Sequence, residues 1–146
     1  LTPDTISYEF DPLDVTKATG WEGWRDLSFE ENNERDIKEL INGLSGNKGR
    51  VNLHIGEPIK NSDSYEGLAR VIDKSMHENY KIYPSAEISD HLLKGKMTDD
   101  LGNAFDKEYL HNFITRFKSL NEELKIKVFA MYAAPLINKR RGQSKD

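Results

Sequence analysis

Only two stretches of this 146-residue chain alternate polar and apolar residues as a half-buried strand does. They are Thr5-Ile6-Ser7-Tyr8-Glu9-Phe10, ended by Asp11-Pro12, and Arg50 to Ile55, ended by Gly56-Glu57-Pro58. In the second, Val51, Leu53 and Ile55 share one face and Arg50, Asn52 and His54 the other. Two strands do not make an independently stable sheet in water. An irregular segment and a helix separate them, so they are expected as parallel neighbours in an α/β sheet. The rest of that sheet must come from other chains or from residues upstream of Leu1; as an isolated piece the chain is α+β and mostly helical.

The helices are read from apolar spacing. Ile37, Leu40, Ile41 and Leu44 fall on one face between Glu34 and Leu44. Gly43, Gly46 and Gly49 then punctuate a turn. Asp63 and Glu66 have capping-box spacing ahead of a stripe of Tyr65, Leu68, Ile72 and Met76 that runs towards Tyr80. Pro84 breaks that pattern, and a short helix over Ile88 to Leu93 follows. Phe105, Tyr109, Phe113 and Phe117 recur every four residues, with Leu110 and Ile114 beside them, most simply as core. A second capping box at Ser119 and Glu122 opens a helix carrying Leu124, Val128, Met131 and Tyr132, which Pro135 is expected to stop. The resulting division is a strand-helix-strand segment, 1–60, a helical region, 61–138, and a basic tail, 139–146.

Composition excludes several classes. No cysteine is present, which removes disulfides, thiolate metal sites and a thiol nucleophile. The chain is polar for a free-standing globule, at 36% hydrophobic and 32% charged residues and a mean hydropathy of -0.74. Its 10% aromatic content argues against disorder. The longest apolar run, Val128 to Ile137, is too short to span a bilayer and contains Pro135. The start, Leu-Thr-Pro-Asp, has no signal-peptide apolar region, and the chain reads as a piece of something longer. Residues 1–40 hold four basic and eleven acidic residues, whereas 121–146 hold six basic and three acidic. That asymmetry argues against duplex nucleic acid as the main partner. Lys139, Arg140 and Arg141 suit either a solvated tail or an anionic membrane surface.

Local constellations do not assemble a catalytic site. His54, His77, His91 and His111 belong to no zinc or nucleophile-elbow motif. Asp73 and His77, four apart on a helix, read as a surface pair before a metal site. His54 reads as a structural side chain before a general base. The run Gly43 to Arg50 offers three glycines with Lys48 and Arg50, which together can cradle a phosphate. However, it follows a helix and leads into a strand, the reverse of the phosphate-loop order, so an ordinary turn is expected. Trp21 and Trp24 suit an edge of the core or a membrane interface. No cofactor and no metal is expected.

Four ordered blocks carry a resemblance that covers nearly the whole chain. The first is Pro3 to Asp14, with Thr16-Lys17-Ala18 after it. The second is Lys48-Gly-Arg-Val-Asn-Leu-His-Ile-Gly-Glu-Pro-Ile59. The third joins Ile72-Asp73 to Asn79-Tyr80-Lys81-Ile82-Tyr83-Pro84-Ser85. The fourth is Met131-Tyr132-Ala133-Ala134-Pro135-Leu136-Ile137-Asn138. Together they resemble the region after the core motifs of bacterial phospholipid/glycerol acyltransferases; Asp4 and Ala134 depart from the pattern.

The resemblance implies the C-terminal part of an enzyme that moves an acyl chain from acyl-CoA or acyl-carrier protein to glycerol phosphate or a lysophospholipid. It implies an upstream catalytic domain as partner, with strands here extending that domain's sheet. It also implies a parent working in the cytoplasm, peripherally at the inner membrane. Pro3 and Ile6 correspond to the edge of a Pro-containing motif near the family's acyl pocket. The family's catalytic His-x-x-x-x-Asp is absent, because Ile59, Ile82, Lys96 and Arg116 stand five residues after the four histidines. The piece alone is therefore expected to be inactive. The alternative is a non-catalytic binding or assembly module, with self-association through its apolar faces.

Overall fold

A computed structural model describes residues 1–20, 28–60 and 64–143. The elements run β1 (Thr5–Tyr8), α1 (Asp14–Thr19), α2 (Phe29–Ser45), β2 (Val51–His54), α3 (Tyr65–Asn79), α4 (Pro84–Leu93), α5 (Thr98–Leu101), α6 (Lys107–Thr115) and α7 (Glu122–Gln143). The described chain is mostly helical with one small two-stranded sheet, an α+β arrangement.

The strands pair antiparallel, with Thr5 opposite His54, Ile6 opposite Leu53, Ser7 opposite Asn52 and Tyr8 opposite Val51. This corrects the expected parallel pairing. A parallel crossover must carry the chain back to the start of the first strand. Here the turn after α2 returns it beside the end of β1, where Glu9 N donates to Arg50 O and Phe10 N to Lys48 O, both at 3.0 Å. Gly49 makes that return possible. It has a φ of 61°, and a Cβ there would stand 2.8 Å from the Glu9 carboxylate and the Phe10 ring. At the other end Ile59 N donates to Leu1 O at 2.8 Å, so pairing continues past the strand limits.

Alternation in a two-faced sheet normally turns the apolar side inward. This sheet does the opposite. Thr5, Ser7 and Glu9 are buried, whereas Ile6, Tyr8, Val51, Leu53 and Ile55 are 42–69% exposed. The polar face goes inward because the α3–α4 connection and α4 supply hydrogen-bond partners to Ser7 and Glu9. The backbone N–H of Lys81 donates to Ser7 Oγ at 2.9 Å, and Ser85 Oγ donates to Glu9 O at 2.7 Å.

The hydrophobic core lies among the helices instead. Ile88 of α4, Leu101 of α5, Leu110 and Phe113 of α6, Phe117 of the turn after α6 and Val128 of α7 form it, with Ala18 of α1. Phe113 meets Phe117 edge-on at 5.4 Å and Tyr132 edge-on at 5.2 Å. The aromatic stripe from Phe105 to Phe117 is therefore core, as its spacing predicts. By contrast α2 and α3 bury no residue fully. On α2 the whole expected stripe of Ile37, Leu40, Ile41 and Leu44 is exposed.

Several helix limits differ from the sequence reading. The helix α2 starts at Phe29, because Ser28 and Glu31 form a capping box upstream of the apolar stripe. Ser64 caps α3 by accepting from Gly67 N; Asp63, the expected cap, lies outside the described residues, as do Trp21 and Trp24. Asn121 caps α7 through Leu124 N at 2.9 Å, in place of Ser119. Pro135 sits inside α7 and does not stop it, so the helix runs through residues 139–143 of the expected tail. Proline removes one donor, and packing of α7 against α4, α1 and α3 outweighs that loss.

Candidate functional site

The polar side of β1 ends in a buried carboxylate, and Arg50 holds it. Arg50 Nη2 donates to Glu9 Oε1 at 2.7 Å, while its Nε and backbone N reach Oε2 at 3.0 and 2.9 Å. This fork-to-carboxylate geometry, with a third donor from the backbone, holds Glu9 below the usual carboxylate range although burial pushes the other way. The Tyr109 phenol faces the same carboxylate, and burial together with the Glu9 charge pushes its pKa up.

Two further buried carboxylates are held by arginines distant in the chain. Asp14 Oδ2 accepts from Arg116 Nε at 2.7 Å and from the Tyr132 hydroxyl at 2.8 Å. Tyr132 in turn accepts from Asp11 N at 3.0 Å, and burial and the Asp14 charge push its phenol up. Asp90 Oδ2 accepts from Lys94 Nζ at 2.7 Å and Arg140 Nη1 at 2.8 Å. Burial raises the pKa of Asp90, and the two cations outweigh that to bring it below its usual value. Glu9 and Asp90, whose pKa values these cations lower, are poor proton acceptors near neutrality, and all three carboxylates are engaged by cations inside the fold. These groups therefore tie elements together: Glu9–Arg50 joins the strands, Asp14–Arg116 joins α1 to the end of α6, and Asp90–Arg140 joins α4 to α7.

A cleft of about 110 Å³ opens beside this framework, lined in part by Tyr8, Asp11, Tyr80, Tyr83, Tyr132 and Pro135. Its lining comes from the first, third and fourth of the four sequence blocks, and the second block supplies Arg50 at its back, over the Tyr83 ring at 5.3 Å. Blocks more than a hundred residues apart thus converge on one place. Sequence reasoning marked these segments through a family pattern and missed their physical role. The signal available was a set of polar residues, Ser7, Glu9, Asp14 and Ser85, at positions that alternation or helical spacing can turn inward.

The residues singled out from sequence fall elsewhere. Pro3 is buried, packed where a Cβ on Gly56 would lie 2.9 Å from its ring. Ile6 is half-exposed on the outer sheet face, so these two are not brought together on one surface, and neither lines the cleft. His54 ends β2 opposite Thr5, His77 lies against the Gly142 end of α7, and His91 meets Phe105 edge-on at 5.9 Å. His111 is exposed on α6. Asp73 is exposed, and among the described residues no three His, Asp or Glu side chains converge as a metal site would require.

Both cations of the glycine turn are engaged within the chain. Lys48 Nζ donates to Leu44 O at 2.9 Å, closing the end of α2, and Arg50 is engaged by Glu9. At the other end of the chain, Lys139 Nζ donates to Glu78 O and Tyr80 O at 2.9 and 3.2 Å, closing the end of α3, while Arg140 serves Asp90. Among the described residues no helix is long and apolar enough to cross a membrane. Comparisons with protein-family models, with curated proteins and with solved structures find no match.

Proposed function

We propose that the chain is the C-terminal part of an acyltransferase that moves an acyl chain from acyl-CoA or acyl-carrier protein to glycerol phosphate or a lysophospholipid. The observation that carries this reading is the inverted sheet. Ile6, Tyr8, Val51, Leu53 and Ile55 make a solvent-facing apolar surface on strands too few to stand alone. An upstream catalytic domain packed on that surface would bury it and add strands to the free edges. Ile6 would then face the region where the resemblance places the acyl pocket, with Pro3 fixing the strand's entry from behind.

In this reading the chemistry lies upstream. A histidine, oriented by an aspartate, takes the proton of the acceptor hydroxyl; the resulting alkoxide attacks the thioester carbonyl and the thiol leaves. This chain's part is to brace the sheet. The parent would work at the cytoplasmic face of the inner membrane as a peripheral protein, with contact to lipid made by the parent's other surfaces, since Lys139 and Arg140 already have intramolecular partners.

The test is the reading frame upstream of Leu1 and the activity of its product. The full protein should release thiol from acyl-CoA when given lysophosphatidic acid or glycerol 3-phosphate, and the 146-residue piece should not. A frame lacking His-x-x-x-x-Asp before Leu1 overturns the proposal. A second reading, a non-catalytic assembly module, draws on the exposed stripe of α2. Sedimentation that finds a stable oligomer of the piece favours it, and a monodisperse monomer counts against it.

A further inference from the structure

The helix α2 is turned inside out. Its apolar stripe, Ile37, Leu40, Ile41 and Leu44, is 56–73% exposed, and Phe29 extends the same edge through the first turn. The residues of α2 that are partly buried are Asn32, Arg35, Glu39 and Gly43, at helical spacing on the opposite side. There Arg35 pairs with Asp36 at 2.7 Å and with Glu39 at 3.9 Å. A helix in a folded protein draws most of its stability from burying its apolar stripe. From Phe29 to Leu44 this stripe faces solvent over about 22 Å of helix axis.

The charge around the stripe says what fits it. Phe29 to Ser45 holds five acidic and two basic residues, a net of -3. Glu30 and Glu34 stand exposed beside the stripe, and neither has a cation partner among the described residues. Lys38 is the one unpaired cation next to them among those residues. An anionic membrane surface is repelled by such a face, and a second copy brings the same surplus of carboxylates. The described helix with a surplus of cations is α7, with five basic and two acidic residues, and it is already packed against α4, α1 and α3. We propose that α2 docks an amphipathic helix of another protein, one whose apolar stripe is flanked by lysine or arginine. The apolar stripe carries the affinity, and the carboxylates select and orient the partner. This inference stands apart from the acyltransferase reading, which seats its upstream domain on the outer face of the sheet.

Amide NMR titration of the 146-residue chain tests it with three synthetic peptides of about 18 residues, five helical turns. One has leucines at spacings of three and four with lysines elsewhere. The second replaces every lysine by glutamate, and the third scrambles the leucine–lysine sequence so that no leucine face forms. The lysine peptide should shift the amides of Ile37 to Leu44 and bind at least tenfold more tightly than either of the others. Raising the salt to about 0.5 M should weaken it roughly fivefold. Leu40→Gln with Ile41→Gln, both at exposed positions, should leave the melting temperature unchanged and weaken binding by about tenfold. Glu34→Gln should weaken it about threefold. Equal binding of the glutamate or the scrambled peptide, shifts confined to residues outside α2, or full binding by the double variant overturns the proposal. An oligomer of the chain alone that the double variant abolishes also overturns it, and identifies a second copy on this face. Retention on phosphatidylcholine vesicles that the double variant loses overturns it in favour of a lipid surface.

Discussion

Asp14 and Arg116, 102 residues apart, form a 2.7 Å ion pair in which the carboxylate is almost fully buried and the guanidinium about a third exposed. It ties α1 to the end of α6 across the aromatic core. The Arg116 guanidinium also lies over the Phe10 and Phe117 rings, at 5.8 and 5.9 Å. Arg116→Leu leaves a buried carboxylate with the Tyr132 hydroxyl and the Val15 N–H as remaining partners. A loss of roughly 3 kcal/mol in unfolding free energy is expected, the scale for breaking a buried pair from one side. Urea unfolding measures it, and Asp14→Asn in the same background should recover part of the loss. A double variant as unstable as the two single effects added would show that the two residues do not act as a pair.

Acid should loosen the fold through Glu9 and Asp90. Each carboxyl titrates lower in the folded chain than its ordinary value of 4.5 or 3.8, so the unfolded chain binds more protons as pH falls. The stability these groups contribute is complete above the ordinary values and is lost as pH drops through the lowered ones. Melting temperature should therefore hold steady from neutrality to about pH 5 and decline below it. The decline should be shallower in Glu9→Gln. A decline of unchanged steepness in that variant would remove Glu9 from the explanation.

The inverted sheet makes opposite demands on neighbouring residues. Ile6→Thr and Leu53→Thr alter an exposed pair and should each cost no more than about 0.5 kcal/mol. Ser7→Val, one residue on and opposite Asn52, takes the acceptor from Lys81 N and should cost about 1–3 kcal/mol. Thermal melts of the three variants decide the matter: were the apolar face packed inward, the order would reverse.

Gly49 and Gly95 separate backbone strain from crowding. Both have positive φ, 61° and 76°, and alanine pays that conformational cost of about 1 kcal/mol at either position. At Gly95 a Cβ meets nothing within 4 Å, whereas at Gly49 it meets Glu9 and Phe10 at 2.8 Å. Gly49→Ala should consequently be the more destabilising, measured by urea midpoints. Equal midpoints would mean that the turn relaxes around the new methyl group.

Neutralising the basic end should act on the fold itself. Arg140→Gln removes one of the two cations on buried Asp90, and Lys139→Met uncaps α3. Each variant should lower the melting temperature without any lipid present. An unchanged melt would mean that these cations are available to a surface outside the chain.

The sequence determined what repeats locally. Apolar spacing every three or four residues placed the helices and identified Phe113 and Phe117 as core, because a helix with one apolar stripe has one way to bury it. Glycine spacing placed the turn before β2. The limits of α2 and α7 were also legible in Ser28-Glu31 and Asn121, had polar caps been weighed ahead of apolar stripes. The polar contacts of the cleft were not legible, since each joins residues that no local spacing connects.

Strand direction and the inward face belonged to the tertiary structure alone. Alternation has a period of two and carries no sign; it says that two faces differ and leaves open which one meets the core. That choice went to the face of Ser7 and Glu9 because the Lys81 amide, Ser85 and Arg50 satisfy their polar groups, although Thr5 Oγ1 on the same face has no partner. The antiparallel pairing followed from where Gly49 returns the chain. Both outcomes rest on partners 41 to 76 residues away, which is why the local pattern could not contain them.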